Sequence, residues 1–133
     1  MSKRQGKKCK YLLDASSLYP LLLSGEAFDL EQCAVSTLTE YELGNVLWKE
    51  TRRKRIDFKQ AAQTFSDALS ELKKISIGTL DDILVLALER NLTFYDASYA
   101  YLAEKGDMKL VTEDVDLIKK CNTAIHLKDM ELT

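Results

Sequence analysis

A single histidine, His126, among 133 residues rules out any site that needs two imidazoles, including a two-histidine acid/base nuclease of the pancreatic type. It falls in a predicted terminal strand, and no G-x-S-x-G turn accompanies it, so it reads as a strand-edge side chain rather than part of a triad. Three cysteines, Cys9, Cys33 and Cys121, are odd in number and lack C-x-x-C spacing. That argues against a disulfide framework and a structural zinc site, and points to a reducing cytoplasm. The five glycines, at 6, 25, 44, 78 and 106, form neither a dinucleotide fingerprint nor a P-loop. One proline and few glycines exclude collagen-like and low-complexity chains. The longest aliphatic run, Ile83 to Leu88, falls far short of the ~20 residues of a membrane span.

What is present is ordinary globular material: 46% hydrophobic residues, 30% charged, and a net charge of −2. A chain of this length should bury roughly two-thirds of its unfolded surface around one core. We therefore expect a single domain over 10–133, preceded by a basic, flexible tail at 1–9 that holds Lys3, Arg4, Lys7 and Lys8. This start could pass for an export signal, but Asp14 interrupts the apolar stretch that follows. A second basic cluster, Arg52-Arg53-Lys54-Arg55, closes a helical segment, where the macrodipole favours cations.

Tyr11-Leu12-Leu13 predicts a buried strand feeding a helix capped by Ser16 or Ser17. Cys33 to Ser36 is the next strand, and Thr37 or Thr39 opens a helix with Leu43, Val46 and Leu47 on one face. Asp57 caps an amphipathic helix, Ile75-Ser76-Ile77 reads as a brief strand, and Gly78 breaks it. A helix from Thr79 or Asp81 follows, then another from Asp96 that Gly106 stops. Lys109 to Thr112 is a strand, Asp114 to Cys121 a short helix, and Ala124 to Leu127 the last strand. Alternating strands and helices predict an α/β fold with a mainly parallel sheet of four or five strands between two helical layers.

In open parallel sheets, ligands bind beyond the carboxyl ends of the strands, where Asp14 and Asp114 fall. Asp96 and Glu42, in first turns of helices, start from the same edge. Each acid alone can be explained as a cap or a first-turn charge, but Asp14, directly after an apolar strand, is costly to bury without a partner. Four carboxylates together repel, and a hard divalent cation, Mg²⁺ or Mn²⁺, is the usual neutraliser.

Four stretches now resemble, in order, the motifs of PIN-domain ribonucleases, in particular VapC-like toxins. They are Tyr11-Leu-Leu-Asp14-Ala-Ser-Ser, Thr39-Glu-Tyr-Glu42-Leu-Gly-Asn45-Val-Leu-Trp48, Tyr95-Asp96-Ala-Ser-Tyr99 to Ala103-Glu, and Leu110-Val-Thr112-Glu-Asp114. The resemblance runs from about residue 10 to 128. It implies a PIN-like α/β/α fold, a catalytic metal site of Asp14, Glu42, Asp96 and Asp114, and Mg²⁺ or Mn²⁺ as cofactor. Glu40 competes with Glu42, but the match runs from Glu42 onward. Ser16, Asn45 and Thr112 are expected to position these carboxylates, and Asp116 to add a ligand through water.

The resemblance further implies a metal-dependent endoribonuclease, a homodimer and a small antitoxin partner, as in type II toxin-antitoxin systems. Arg52, Arg53 and Arg55 are candidates for contacts with the RNA backbone. Alternatives are a non-cleaving RNA-binding or assembly module, a PIN nuclease of RNA processing, and a nuclease acting on DNA.

Overall fold

The computed structural model describes residues 8–54 and 56–132. Its elements in chain order are β1 (Tyr11–Leu13), α1 (Ala15–Ser24), a 3-10 turn (Leu30–Gln32), β2 (Cys33–Ser36), α2 (Thr39–Arg52), α3 (Phe58–Glu71) and β3 (Lys73–Ile75). Then come α4 (Leu80–Arg90), α5 (Phe94–Gly106), β4 (Lys109–Val111), α6 (Val115–Lys120), β5 (Ala124–Ile125) and a 3-10 turn (Leu127–Asp129). All strand pairs are parallel, in the order β3-β2-β1-β4-β5.

The near-continuous apolar character of β1 and β2 follows from burial on both faces. Because side chains alternate, Tyr11, Leu13, Cys33, Val35 and Val111 point to one face and Leu12, Ala34 and Leu110 to the other. The first face packs on α1, α2 and α3 through Leu18, Leu43, Phe65 and Leu69. The second packs on α5 and α6 through Tyr99, Ala100, Ala103 and Leu117, and α4 adds Ile83 and Ala87 against Ala97 outside them. The expected three-layer α/β/α arrangement is therefore present.

From β1 the chain moves outward to β2 and β3, then returns to β4 on the other side of β1. The order reverses between β1 and β4, and that switch opens a crevice at their carboxyl ends. Residues 1–7 of the expected tail lie outside the described residues. Cys9, assigned to that tail, instead belongs to the core: it is 5% exposed beside Leu12 and Leu110, since strand pairing already begins at Lys10.

Several element ends move. Asp14, not Ser16 or Ser17, caps α1, accepting from the Ser17 N–H. The third strand is Lys73–Ile75 rather than Ile75–Ile77, at an edge where lysines discourage further pairing. Helix α5 starts two residues before Asp96, because Thr93 supplies the cap, and runs through Gly106 to a left-handed Asp107 at φ 54°. Gly78, expected to break this strand, lies three residues past its end; its φ is +99°, and a Cβ there would sit 2.9 Å from the Tyr101 ring.

Candidate active site

Asp14 sits where β1 ends, buried at 7% exposure, on the floor of the crevice. The neighbouring strand end is tied to it. The Ser17 hydroxyl donates to the Val111 carbonyl at 2.7 Å, and the Asp14 N–H donates to the same oxygen at 3.3 Å. Ser16 Oγ donates to Asp14 Oδ1 at 2.7 Å, Thr112 Oγ1 donates to Oδ2 at 2.5 Å, and the Ser17 N–H donates to Oδ1 at 3.1 Å. Ser16 and Thr112 thereby fix both carboxyl oxygens in direction.

Asp114 follows β4 and caps α6, its Oδ1 accepting from the Asp116 and Leu117 N–H groups. Its own N–H donates to Thr112 Oγ1 at 3.1 Å, so Thr112 links the two strand-end acids. Glu113 turns away and pairs with His126 at 3.1 Å. Asp96 enters from the first turn of α5 and Glu42 from that of α2. Asp14, Glu42, Asp96 and Asp114 line one cleft of about 290 Å³ together with Ser16, Asn45, Val46 and Tyr99. Glu40 lies elsewhere, paired with Lys74 at 3.2 Å on the far side of α2. Asp116 does not line the cleft; it pairs with Lys120 at 2.9 Å.

Sequence reasoning quoted Tyr99 within its motif but gave it no role. The Ser36 N–H donates to Thr39 Oγ1 at 3.0 Å, Thr39 Oγ1 lies 2.8 Å from the Tyr99 hydroxyl, and Tyr99 donates to Glu42 Oε1 at 2.6 Å. With Tyr99 donating to Glu42, Thr39 must donate to Tyr99, and the chain has one direction from the end of β2 to the cleft. The available signal was spacing: Tyr99 is three residues after Asp96 and shares its helix face.

The cleft is electrostatically unbalanced. Among the described residues none of the four acids is ion-paired. Burial pushes the Asp14 carboxyl above its usual range, against the lowering effect of its hydroxyl and N–H donors. Burial also raises Glu42, with the charges of Asp14 and Asp96 adding to it and the Tyr99 bond opposing. Asp96 is raised by burial first, then by the charges of Asp114 and Asp14. Such a set of oxygen donors suits a hard divalent cation that removes the repulsion. Among the described residues no three acid, His or Cys groups are arranged to hold an ion unaided.

The PIN domain model matches residues 11–122. The chain belongs to the PIN-domain family. It is 43% identical to Exonuclease VapC9 of Pyrobaculum aerophilum over 123 residues, 91% of this chain and 92% of that protein. To Ribonuclease VapC3 of the same organism it is 32% identical, across 84% of this chain and 94% of that one. A crystal structure from Pyrobaculum aerophilum superposes with a TM-score of 0.82 at 43% identity, covering 91% of this chain and 85% of that one. The likeness to VapC-like proteins seen in the four motifs is borne out, and so is the PIN-like α/β/α fold.

Proposed function

We propose that this PIN domain is a metal-dependent endoribonuclease, the toxin of a toxin-antitoxin pair. The observation that carries the reading is the convergence of Asp14, Glu42, Asp96 and Asp114, none of them ion-paired among the described residues, on one cleft at the sheet's switch point. The relatives' names, an exonuclease and a ribonuclease, support nucleic-acid hydrolysis.

The four acids would hold Mg²⁺ or Mn²⁺. When bound, the ion supplies Lewis acidity toward a phosphodiester oxygen and lowers the pKa of water. The chain's own part is positioning. Ser16 and Thr112 hold Asp14 in one rotamer, the Asp116 and Leu117 amides hold Asp114, and Tyr99 holds Glu42. Asn45 on the exposed rim offers an amide to a phosphate oxygen or to the attacking water. Asp116 adds negative charge near Asp96. Arg52 and Arg53 at the end of α2 are the proposed backbone contacts; Arg55 lies outside the described residues.

Purified protein should cleave single-stranded RNA with Mg²⁺ or Mn²⁺ and stop with EDTA; cleavage surviving thorough chelation overturns the reading. The name of VapC9 favours a second reading, end-directed cleavage. A circular RNA decides between them, since only an endonuclease opens it. A DNA oligonucleotide of the same sequence tests nucleic-acid choice, and RNA binding without cleavage would indicate an assembly module.

We also propose a homodimer and a small antitoxin. Leu80, Leu84 and Leu88, with Val85 beside them, form an exposed apolar row along α4 suited to a second copy. Induced alone, the wild-type chain should arrest growth and the Asp14→Asn form should not. A folded, expressed and harmless wild type would favour RNA processing. No helix of the described residues is long and apolar enough to cross a membrane.

A further inference from the structure

Trp48 is the chain's single tryptophan, and it stands 56% exposed on α2. Tryptophan is on average well buried, so an open indole on a helix calls for an occupant. Its place is informative. Asn45, which lines the acid cleft, lies three residues earlier, about 4.5 Å along the helix axis. Tyr41 lies seven residues before Trp48, close to two full turns, so both rings share one stripe, and Tyr41 is 78% exposed. The groups beside the indole are cationic. The Arg52 guanidinium carbon is 5.1 Å from the ring centroid; Lys49 shares the last turn of the helix with Arg52, and Arg53, the C-cap, contacts Glu50.

We infer that Trp48 is a stacking platform for an unpaired nucleobase of the RNA strand, one nucleotide or so from the phosphate in the acid cleft. This rests on the ribonuclease reading above. Every base has a π face, so the platform tolerates sequence but requires an unpaired base, because a duplex already stacks its bases internally. Arg52 orients the indole from one side and brings positive charge to the strand's backbone. Tyr41 gives a second ring on the same stripe. A protein partner would also cover an exposed indole, but it gains little from cations at the end of a helix whose Asn45 lines a carboxylate cleft. A polyanion bridging the two gains from both.

Because there is one tryptophan, its fluorescence reports this position alone. The Asp96→Asn form, titrated with a labelled ten-nucleotide single-stranded RNA, should show saturable change in indole emission in step with RNA anisotropy. A blunt duplex of equal length should produce little. Trp48→Ala, with an unchanged melting curve, should bind single strands about tenfold more weakly and raise KM with kcat little altered. Trp48→Phe should recover most of that loss. If labelled RNA binds while the emission stays still and Trp48→Ala matches its parent, the platform is refuted. Emission that responds to protein dilution but not to RNA places Trp48 in a self-interface and refutes it equally. If the wild type neither binds nor cleaves RNA, the ribonuclease reading itself fails and the platform falls with it, a result distinct from RNA bound past a silent indole.

Discussion

The Tyr99 hydroxyl donates a 2.6 Å hydrogen bond to Glu42, joining α5 to α2 across 57 residues of sequence. Tyr99 is 1% exposed, and its phenol is pushed above its ordinary pKa first by burial and then by the bond to Glu42. It therefore acts as a fixed donor. Of the four acids, Glu42 comes from the helix layer opposite that of Asp96, and this bond sets its reach into the cleft.

Tyr99→Phe should leave the fold in place and weaken the site. Losing a hydrogen bond to a charged acceptor costs about 1.5–3 kcal/mol, or roughly ten- to hundredfold in kcat if the carboxylate must be aimed for turnover. The Mn²⁺ concentration for half-maximal activity should rise in parallel, because the carboxylate is then free to rotate. Single-turnover cleavage across a Mn²⁺ series checks this; an unchanged metal response would make Tyr99 a packing residue only.

Asp96→Asn should lower cleavage at least about a hundredfold, as it removes one ligand charge while keeping the shape of the side chain. The backbone cap at Asp96 comes from Thr93 and survives the change. Glu40→Gln, by contrast, should leave activity near that of wild type, since Glu40 serves an exposed pair with Lys74. Parallel assays of the two variants separate the competing acids of the second motif.

The parallel sheet was legible because Tyr11-Leu12-Leu13 and Cys33 to Ser36 carry the uninterrupted apolar character that burial on two faces demands. The strand-end acids were legible for the same reason, as a carboxylate after such a run needs partners. What sequence hid was side-chain direction. Glu40 and Glu42 are chemically alike two residues apart, and only the pose of α2 sends one to the cleft and the other to Lys74. The bounds of β3 were misread because an edge strand is half-exposed and carries lysines instead of an apolar run. Tyr99 passed without a role because Tyr95, Tyr99 and Tyr101 look equivalent in sequence, although Tyr99 is fully buried and Tyr95 is 57% exposed.

Leu84→Glu together with Leu88→Glu should convert a homodimer to monomer without unfolding it. Both side chains point away from Ile83 and Ala87, which pack against α5. A charge at each position places like charges across a two-fold axis and removes apolar area from the interface. Sedimentation of wild type and variant at matched concentrations is the check; a monomeric wild type would remove the second copy as the occupant of this row.

The pH dependence of stability follows from the crowding of acids in the cleft. Asp14, Glu42 and Asp96 all have raised pKa values in the folded state, so that state holds protons which the unfolded chain has released. The contribution of these three acids to stability without metal should therefore be most favourable below the unfolded value of ~4, fall as pH rises through the raised folded values, and stay reduced at neutral pH. Asp96 is the clean probe, because burial and the charges of Asp114 and Asp14 raise it, whereas Asp14 also caps α1. Asp96→Asn should raise the melting temperature in EDTA at pH 7.5 by a few degrees, with the gain vanishing toward pH 4. In Mn²⁺ the order should reverse, because the wild type gains stability from binding through the full set of ligands and the variant has one fewer charge to offer. Melting curves of both proteins, with EDTA and with Mn²⁺ at several pH values, test each sign. A variant that melts lower than wild type in EDTA and gains as much from Mn²⁺ would show that Asp96 stabilises the helix start and takes no part in holding an ion.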